Sequence, residues 1–406
     1  MDRLDAAQGG FDAERLARID RFLDATYLAP ELLAGAQLLI AREGKVVHLS
    51  TAGKARASGE PMGEDSIFRI ASMTKPVTSI AFMMLVEEGR AALDQAVEEV
   101  IPEWKGMGVY DGGGGGAPFL VKPPERPMAM IDLLRHTSGL TYSFQHRTNV
   151  DAAYRSRKLE GWHGDLDLDG FVAALADIPL EFSPGTAWNY SVSTDVLGLV
   201  VERVSGMKLD RFFEERIFAP LGMVDTAFHV PPDKAHRLGD AFAWREGKGA
   251  VVYDPGAKSA WSEPPRLLAG GAGLVSTIAD YHRFCAMLEG GGALDGARIV
   301  GRKTLELMTS NHLPGGADLT EMSRSLFSEA VNAGQGFGLG FGVNLDPAKT
   351  MLPGSKGEYY WGGMFSTAFF VDPVERLHMI FMTQLMPSST YPIRRQLKTL
   401  IYAALK

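Results

Sequence analysis

The chain has 406 residues, of which 46% are hydrophobic and 22% charged, so it can bury one or two large cores. The formal net charge of −8 argues against nucleic acid and against an anionic membrane surface as partners. The first residues, Met1-Asp2-Arg3-Leu4, lack the apolar stretch of a secretory signal, and no apolar run reaches transmembrane length. The single cysteine, Cys285, excludes an internal disulfide and is typical of a reducing cytoplasm. We therefore expect a globular cytoplasmic protein.

Apolar periodicity and turn residues predict elements at both ends of the chain and helices between them. In chain order these are a β-hairpin at Ala36–Ala41 and Val46–Thr51, a helix from near Ser72 to Gly89, helical pieces from about 92 to 250, a helix containing Cys285, strands at Tyr359–Trp361, Thr367–Val371 and Leu377–Thr383, and a helix at Ile393–Leu405. The run Gly112–Gly116 lacks the Lys-Ser/Thr of a phosphate loop and is interpreted as a plain linker.

This order predicts an α/β (α+β) fold. One antiparallel sheet, built from both chain ends and flanked by helices, would carry a mainly helical insertion. We expect the sheet domain to comprise residues 1–91 and 251–406, and the helical domain residues 92–250.

The most informative segment is Ser72-Met73-Thr74-Lys75, at the start of the predicted helix. Residues three apart lie on one helix face, so the Lys75 amine can reach the Ser72 hydroxyl and take its proton. Pro76 is tolerated only near a helix start, which places that start close to Ser72. The N–H groups of a first turn have no partner within the helix, and the Ser72 amide is therefore a candidate oxyanion donor.

Two other patterns favour structural readings. Ser205-Gly206-Met207-Lys208 has the same spacing, but Gly206 is typical of a helix end, where the dipole disfavours an oxyanion. The run Asp165–Gly170 begins like a calcium loop, but Ala176 stands where the bidentate Glu is required. We interpret this run as an acidic turn in which Asp169 caps the next helix, and we predict no metal and no cofactor.

Five motifs in order carry a resemblance to a known family. They are Ser72-x-x-Lys75, Leu134-Arg135-His136-Thr137-Ser138-Gly139-Leu140, Ser183-Pro184-Gly185-Thr186-Ala187-Trp188-Asn189-Tyr190-Ser191, Pro220-Leu221-Gly222-Met223 and Trp361-Gly362-Gly363. The chain resembles the serine β-lactamase and penicillin-binding superfamily, and most of all the class C β-lactamase-like carboxylesterases of family VIII. The resemblance runs from about residue 15 to the C-terminus and implies a β-lactamase/transpeptidase-like fold.

The resemblance also implies roles. Ser72 would be the acylated nucleophile, Lys75 its proton-sharing partner, and Tyr190 the base for acylation and acid for the leaving group. A phenol needs a nearby cation to ionise at neutral pH, and we expect Lys75 to be that cation. The glycines of Trp361-Gly362-Gly363 would let the backbone approach substrate, with the Met364 N–H as the second oxyanion donor.

Two departures from the lactamase pattern bear on the substrate. Val192 stands where the second motif, Y-x-N, has asparagine, and Trp361 stands where the third motif, K-T-G, has lysine. These losses remove a donor to a substrate amide and a cation for a carboxylate. We expect a serine carboxylesterase acting on short-chain neutral esters, with an optimum at about four to six acyl carbons if the pocket is small. A β-lactamase, a D-Ala peptidase and an acyltransferase remain the alternatives, and the oligomeric state stays open.

Overall fold

The computed structural model describes residues 1–160, 164–324 and 333–406. The helices are α1 Ala13–Leu23, α2 Thr74–Glu87, α3 Met130–Leu134, α4 Asn149–Ser156, α5 Leu168–Ala176, α6 Ser193–Ser205, α7 Leu209–Phe213, α8 Ala219–Leu221, α9 Ile278–Glu289, α10 Arg302–Met308, α11 Leu319–Met322, α12 Pro347–Thr350 and α13 Ile393–Ala404. The strands are β1 Gly35–Arg42, β2 Lys45–Gly53, β3 Phe68–Arg69, β4 Val109–Gly114, β5 Ala117–Lys122, β6 Ala241–Arg245, β7 Gly249–Asp254, β8 Val275–Ser276, β9 Ala293–Leu294, β10 Ala297–Arg298, β11 Gln335–Phe337, β12 Gly342–Asn344, β13 Tyr359–Gly362, β14 Ala368–Asp372, β15 Leu377–Met382 and β16 Leu385–Met386.

The main sheet joins the two ends of the chain. Its strand order is β11-β12-β13-β14-β15-β1-β2, and every neighbouring pair is antiparallel. The first hairpin therefore pairs with the last long strand, in the register that sets Leu39 opposite Ile380. The predicted antiparallel sheet built from both chain ends is confirmed.

Helices cover both faces of this sheet because its strands alternate between two cores. Leu38 and Phe381 pack on one face with residues of α1 and α13. Leu39 and Ile380 point to the other face, where α9 and the long core of the helical region lie. Helix α2 runs through that second core and is buried from Thr74 to Leu85, as an all-round apolar helix must be.

Two local predictions are wrong. Residues 112–116 form part of the β-hairpin β4–β5, in which Gly113 and Gly114 adopt positive φ at a register shift, so the run is not a plain linker. Helix α5 is capped by Asp167, whose Oδ1 accepts the Gly170 N–H at 2.9 Å, whereas Asp169 pairs with Arg203. The cap lies two residues earlier because α5 begins at Leu168.

A smaller sheet brings the middle of the chain to the C-terminal part. The hairpin β6–β7 pairs through β6 with the short strand β16. The predicted domain boundary between residues 250 and 251 lies inside β7, and the division into two domains stays a prediction. Within the described ranges, no helix has both the length and the apolar character needed to cross a membrane.

Candidate active site

Ser72 lies in a constrained turn that leads into α2. The turn is a 3₁₀ segment, Ala71–Met73, and Ala71 has φ of 44°, a left-handed backbone that a residue with a Cβ adopts only under constraint. The strand before it is held by the buried Arg69, which pairs with Asp254 and donates to the Gly239 carbonyl at 2.9 Å. The turn places Ser72 in the wall of a large cavity.

Lys75 stands one helical turn from Ser72, as its spacing predicts. Its Nζ lies 3.3 Å from Ser72 Oγ, 3.0 Å from the Tyr142 hydroxyl and 2.7 Å from the Gly271 carbonyl oxygen. Burial lowers the pKa of Lys75 to about 7, against the opposing effect of the carboxylates of Asp195 and Glu160. A substantial fraction of Lys75 is therefore neutral at pH 7 and can accept a proton.

Tyr190 is the second side chain that contacts the Ser72 hydroxyl. Its hydroxyl donates to Ser72 Oγ at 2.7 Å, and the Lys75 Nζ lies 4.5 Å from the centre of its ring. Burial raises the pKa of Tyr190, while the hydrogen bonds to Ser72 and Trp361 act in the opposite direction. The expectation that Lys75 is the cation that lets Tyr190 ionise stays a prediction. Tyr190 is a neutral hydrogen-bond donor in the resting site.

Tyr142 and Asp195 surround Lys75 and were not among the predicted site residues. Tyr142 accepts the Lys75 hydrogen bond and is bonded in turn to the Asp195 side chain. Asp195, in the first turn of α6, also accepts the Gly271 N–H at 2.9 Å, and burial raises its pKa. The nearest sequence signal was the position of Tyr142, two residues after the motif that ends at Leu140.

The third motif contributes packing and not a cavity wall. Trp361 is only 1% exposed, and its ring stacks at an angle on Tyr190 with centroids 5.6 Å apart. A Cβ on Gly362 would lie 2.5 Å from Arg394 Cζ, and one on Gly363 would lie 2.4 Å from the Ile70 carbonyl oxygen. These three residues are absent from the described cavity lining, and the predicted substrate contact through them stays a prediction. The absence of side chains at the two glycines lets Arg394 and the Ile70 carbonyl approach the backbone closely.

Met364 follows the motif and does line the cavity, together with Ser72. Its side chain is 37% exposed. Among the described residues, no hydrogen-bond acceptor for the Met364 N–H is found. The Gly363 N–H, in contrast, donates to the Thr367 carbonyl at 2.9 Å. This geometry leaves the Met364 amide available for an oxyanion, and its role as the second oxyanion donor stays a prediction.

The cavity at Ser72 has a volume of about 1550 Å³. Ligand cavities commonly measure about 300–1,000 Å³, so this one holds more than a short ester. Much of its lining is apolar or aromatic: Phe144, Phe171, Val192, Trp244, Tyr253, Trp261, Leu267 and Met386. Charged side chains join them: Arg147, Lys158, Glu160 and Arg245.

Two further residues, Ser205 and His136, have structural contacts in this fold. Ser205 ends α6 before Gly206, which has φ of 74°, and its Oγ accepts the Met207 N–H. Lys208 pairs with Glu202 at 2.8 Å, so the second S-x-x-K spacing forms no serine–lysine pair. His136 is buried behind Tyr190, 3.2 Å from Ser191 Oγ.

Comparisons with known proteins agree with this geometry. The family model described as Beta-lactamase matches residues 26–403. Esterase EstB of Burkholderia gladioli is 31% identical over 425 residues, which cover 98% of each chain. An uncharacterized protein of Mycobacterium tuberculosis is 34% identical over 363 residues, covering 88% of this chain and 87% of that protein. The solved structure of EstCE1, described as a hydrolase with promiscuous acyltransferase activity, superimposes with a TM-score of 0.78 at 25% identity, covering 96% of this chain and 99% of that one.

Proposed function

The chain belongs to the β-lactamase family and is a serine hydrolase, and from this premise we propose that it is a carboxylesterase acylated on Ser72. The observation that carries the proposal is the position of Ser72 Oγ, 2.7 Å from the Tyr190 hydroxyl and 3.3 Å from Lys75 Nζ, at the wall of a largely apolar cavity. The likeness to EstB over 98% of both chains supports the same activity.

The surroundings of Lys75 suit it to accept the serine proton. A neutral amine has two N–H groups and one lone pair. Its two shorter contacts are to acceptors, the Gly271 carbonyl at 2.7 Å and the Tyr142 hydroxyl at 3.0 Å. With both N–H groups so engaged, the lone pair faces Ser72 Oγ. Neutral Lys75 then takes the proton as the oxygen attacks the ester carbonyl.

The remaining steps follow from the same contacts. The tetrahedral oxyanion would bind the N–H groups of Ser72 and Met364. Its collapse breaks the bond to the alcohol oxygen, which receives a proton from Tyr190, and Lys75 returns its proton to Tyr190. Water then attacks the acyl-enzyme and loses a proton to Lys75. The bond between the acyl carbon and Ser72 Oγ breaks, and Lys75 returns that proton to Ser72 Oγ. The net reaction consumes one water and releases acid and alcohol.

We propose neutral esters with short acyl chains as substrates. Val192 lines the cavity where the lactamase pattern has asparagine, and the buried Trp361 replaces the lysine of the third motif. A substrate carboxylate beside Val192 would lose water without gaining a hydrogen-bond donor from that side chain. The expected optimum at about four to six acyl carbons assumes a small pocket, but the cavity volume is about 1550 Å³. We therefore expect esters with bulky neutral groups to be accepted as well.

The test compares p-nitrophenyl butyrate with a carboxylate-bearing chromogenic cephalosporin on the wild-type enzyme. A higher kcat/KM for the butyrate, together with fluorophosphonate labelling of Ser72, is the expected result. A higher value for the cephalosporin would identify a lactamase instead. An ester-silent enzyme that still labels on Ser72 would reject the esterase assignment and keep the nucleophile.

Acyl transfer is the second candidate function. The cavity has room for an acceptor alcohol beside an acyl group on Ser72, and EstCE1, described as having promiscuous acyltransferase activity, supports this reading. The measurement is the product ratio of ester to acid when an alcohol is added during turnover of a p-nitrophenyl ester. A hydrolase gives mainly acid at millimolar alcohol, whereas a transferase gives mainly the new ester.

A further inference from the structure

The turn between β13 and β14 presents the Met364 amide, and it is internally bonded. The Gly363 N–H donates to the Thr367 carbonyl at 2.9 Å, and the Ser366 N–H donates to the Gly363 carbonyl at 3.1 Å. Ser366 has φ of 67° and donates its hydroxyl to the Leu385 carbonyl at 2.6 Å. These contacts fix the backbone on either side of Met364.

A partly buried guanidinium lies behind this turn. Arg394, from the first turn of α13, donates through Nη2 to the Gly363 carbonyl at 2.7 Å and to the Thr367 carbonyl at 2.8 Å. The missing side chain of Gly362 makes this approach possible, since a Cβ there would lie 2.5 Å from Arg394 Cζ. Burial lowers the pKa of Arg394 to about 10, so the group stays charged at neutral pH.

The carbonyl of Gly363 and the N–H of Met364 belong to one peptide unit. In a trans peptide the C=O and N–H point in opposite directions. Arg394 holds the carbonyl end, so the N–H end points away from Arg394. Met364 lines the cavity beside Ser72. The same peptide therefore faces a cation at one end and the reacting serine at the other.

We propose that Arg394 is a positioning residue that polarises the Gly363–Met364 peptide and so strengthens the Met364 N–H as an oxyanion donor. The proposal rests on the esterase reaction at Ser72. A charge-assisted bond to the carbonyl shifts electron density toward the oxygen and makes the N–H of that unit a stronger donor. This effect stabilises the transition state and not the bound ester, because the negative charge that accepts the Met364 hydrogen bond develops only in the transition state.

The experiment uses two variants of Arg394 and one matched control. Arg394→Met removes the charge and the donors, Arg394→Lys keeps the charge with fewer donors, and Arg395→Met changes the exposed neighbour on the same helix. Each variant is measured for p-nitrophenyl butyrate turnover, for inhibition by butylboronic acid and for inhibition by butyramide. The boronic acid forms an anionic tetrahedral adduct on a serine, whereas the amide binds as a neutral ligand.

We expect Arg394→Met to lower kcat about 10- to 100-fold. This decrease is at most similar to the decrease in kcat that follows removal of an entire oxyanion donor. Boronate affinity should fall by a similar factor, with KM and amide affinity within about threefold. Arg394→Lys should be intermediate and Arg395→Met near wild type. If Arg394→Met does not fold, as judged by circular dichroism, the same comparison in Arg394→Lys decides.

Equal losses of boronate and amide binding would overturn the inference, because a structural defect weakens both ligands. Unchanged boronate binding in a folded variant would overturn it as well. A wild-type enzyme that neither hydrolyses the ester nor is labelled by a fluorophosphonate marks failure of the proposed function, and the inference fails with it. If the wild-type enzyme hydrolyses the ester and is labelled, the proposed function holds, and a negative result with the Arg394 variants rejects only the role of Arg394.

Discussion

The Nζ atom of Lys75 lies 3.0 Å from the hydroxyl oxygen of Tyr142, closer than the 3.3 Å that separates it from Ser72 Oγ. Tyr142 in turn bonds the carboxyl group of Asp195. The lysine is thus oriented by groups outside the S-x-x-K motif, and its charge is balanced by a buried carboxylate whose effect raises the lysine pKa. This arrangement makes the pH dependence of the enzyme testable.

The acid limb of the pH profile should follow Lys75. The base must be neutral, so kcat/KM should rise with pH through the lysine pKa of about 7. Asp195 raises that pKa, and Asp195→Asn should therefore move the acid limb to lower pH. The check is the profile of kcat/KM between pH 5 and 9. Asp280→Asn, at another buried aspartate in a helical first turn, should leave the limb in place. An alkaline shift in Asp195→Asn would contradict the role given to the carboxylate.

Removing the Tyr142 hydroxyl tests the orientation of the amine. Tyr142→Phe keeps the ring that stacks on Phe144 at 4.9 Å but deletes the acceptor of the Lys75 hydrogen bond. We expect kcat/KM to fall about 10-fold, a loss smaller than that of a direct acid or base. Steady-state kinetics with p-nitrophenyl butyrate measure this. Tyr110→Phe, on the hairpin β4–β5 and absent from the described cavity lining, serves as the control, and equal losses in both variants would speak against a specific role.

Ser72 should be the sole nucleophile. Ser72→Ala should abolish nearly all ester turnover and all fluorophosphonate labelling. Among the described residues, no other serine side chain is hydrogen-bonded to a lysine amine, and Lys208 is bonded to Glu202 instead. Ser205→Ala should keep most of both, since that side chain only ends α6. Mass spectrometry of the labelled peptide locates the adduct. Labelling at Ser205, or full activity in Ser72→Ala, would disprove the assignment.

Lys75 and Tyr190 should behave as one proton-transfer unit. Lys75→Ala and Tyr190→Phe should each cost about 10²–10⁴-fold in kcat, the usual loss of general acid–base help. Both side chains act on the same Ser72 oxygen, at 3.3 and 2.7 Å, so the double variant should lose far less than the product of the single losses. Multiplicative losses in the double-mutant cycle would show that the two residues act independently.

The features that could be predicted from the sequence are those that depend on neighbouring residues. Pro76 and the three-residue spacing located the turn of Ser72, and alternating apolar residues located the strands that meet as Leu39 opposite Ile380. The contacts that it could not predict join distant residues: Lys75 and Tyr142 are 67 positions apart. The sequence predicts that the glycines of the third motif face substrate, because nothing in it shows that Arg394 occupies the space beside Gly362.

The size of the cavity leads to a prediction on bulky esters. Trp244 and Tyr253 are 40% and 50% exposed and line the cavity from the hairpin β6–β7. Both side chains belong to the smaller sheet, and we expect a short acyl group held at Ser72 to need neither of them. Replacing Trp244 by alanine should leave kcat/KM for p-nitrophenyl butyrate within about twofold. For a 2-naphthyl or decanoyl ester it should fall about 5- to 20-fold, since about 1–2 kcal/mol of apolar contact is lost.

The matched control is Leu120→Ala, a 62% exposed apolar residue on the separate hairpin β4–β5. It should change neither substrate, because it is absent from the described lining of the cavity. Measuring all three enzymes on the small and the bulky ester separates a subsite from a general defect. A loss of equal size on both esters in Trp244→Ala would mean that the hairpin supports the fold of the site. A selective loss on the bulky ester would mean that the apolar outer cavity, and not the serine turn, sets how large an ester the enzyme accepts.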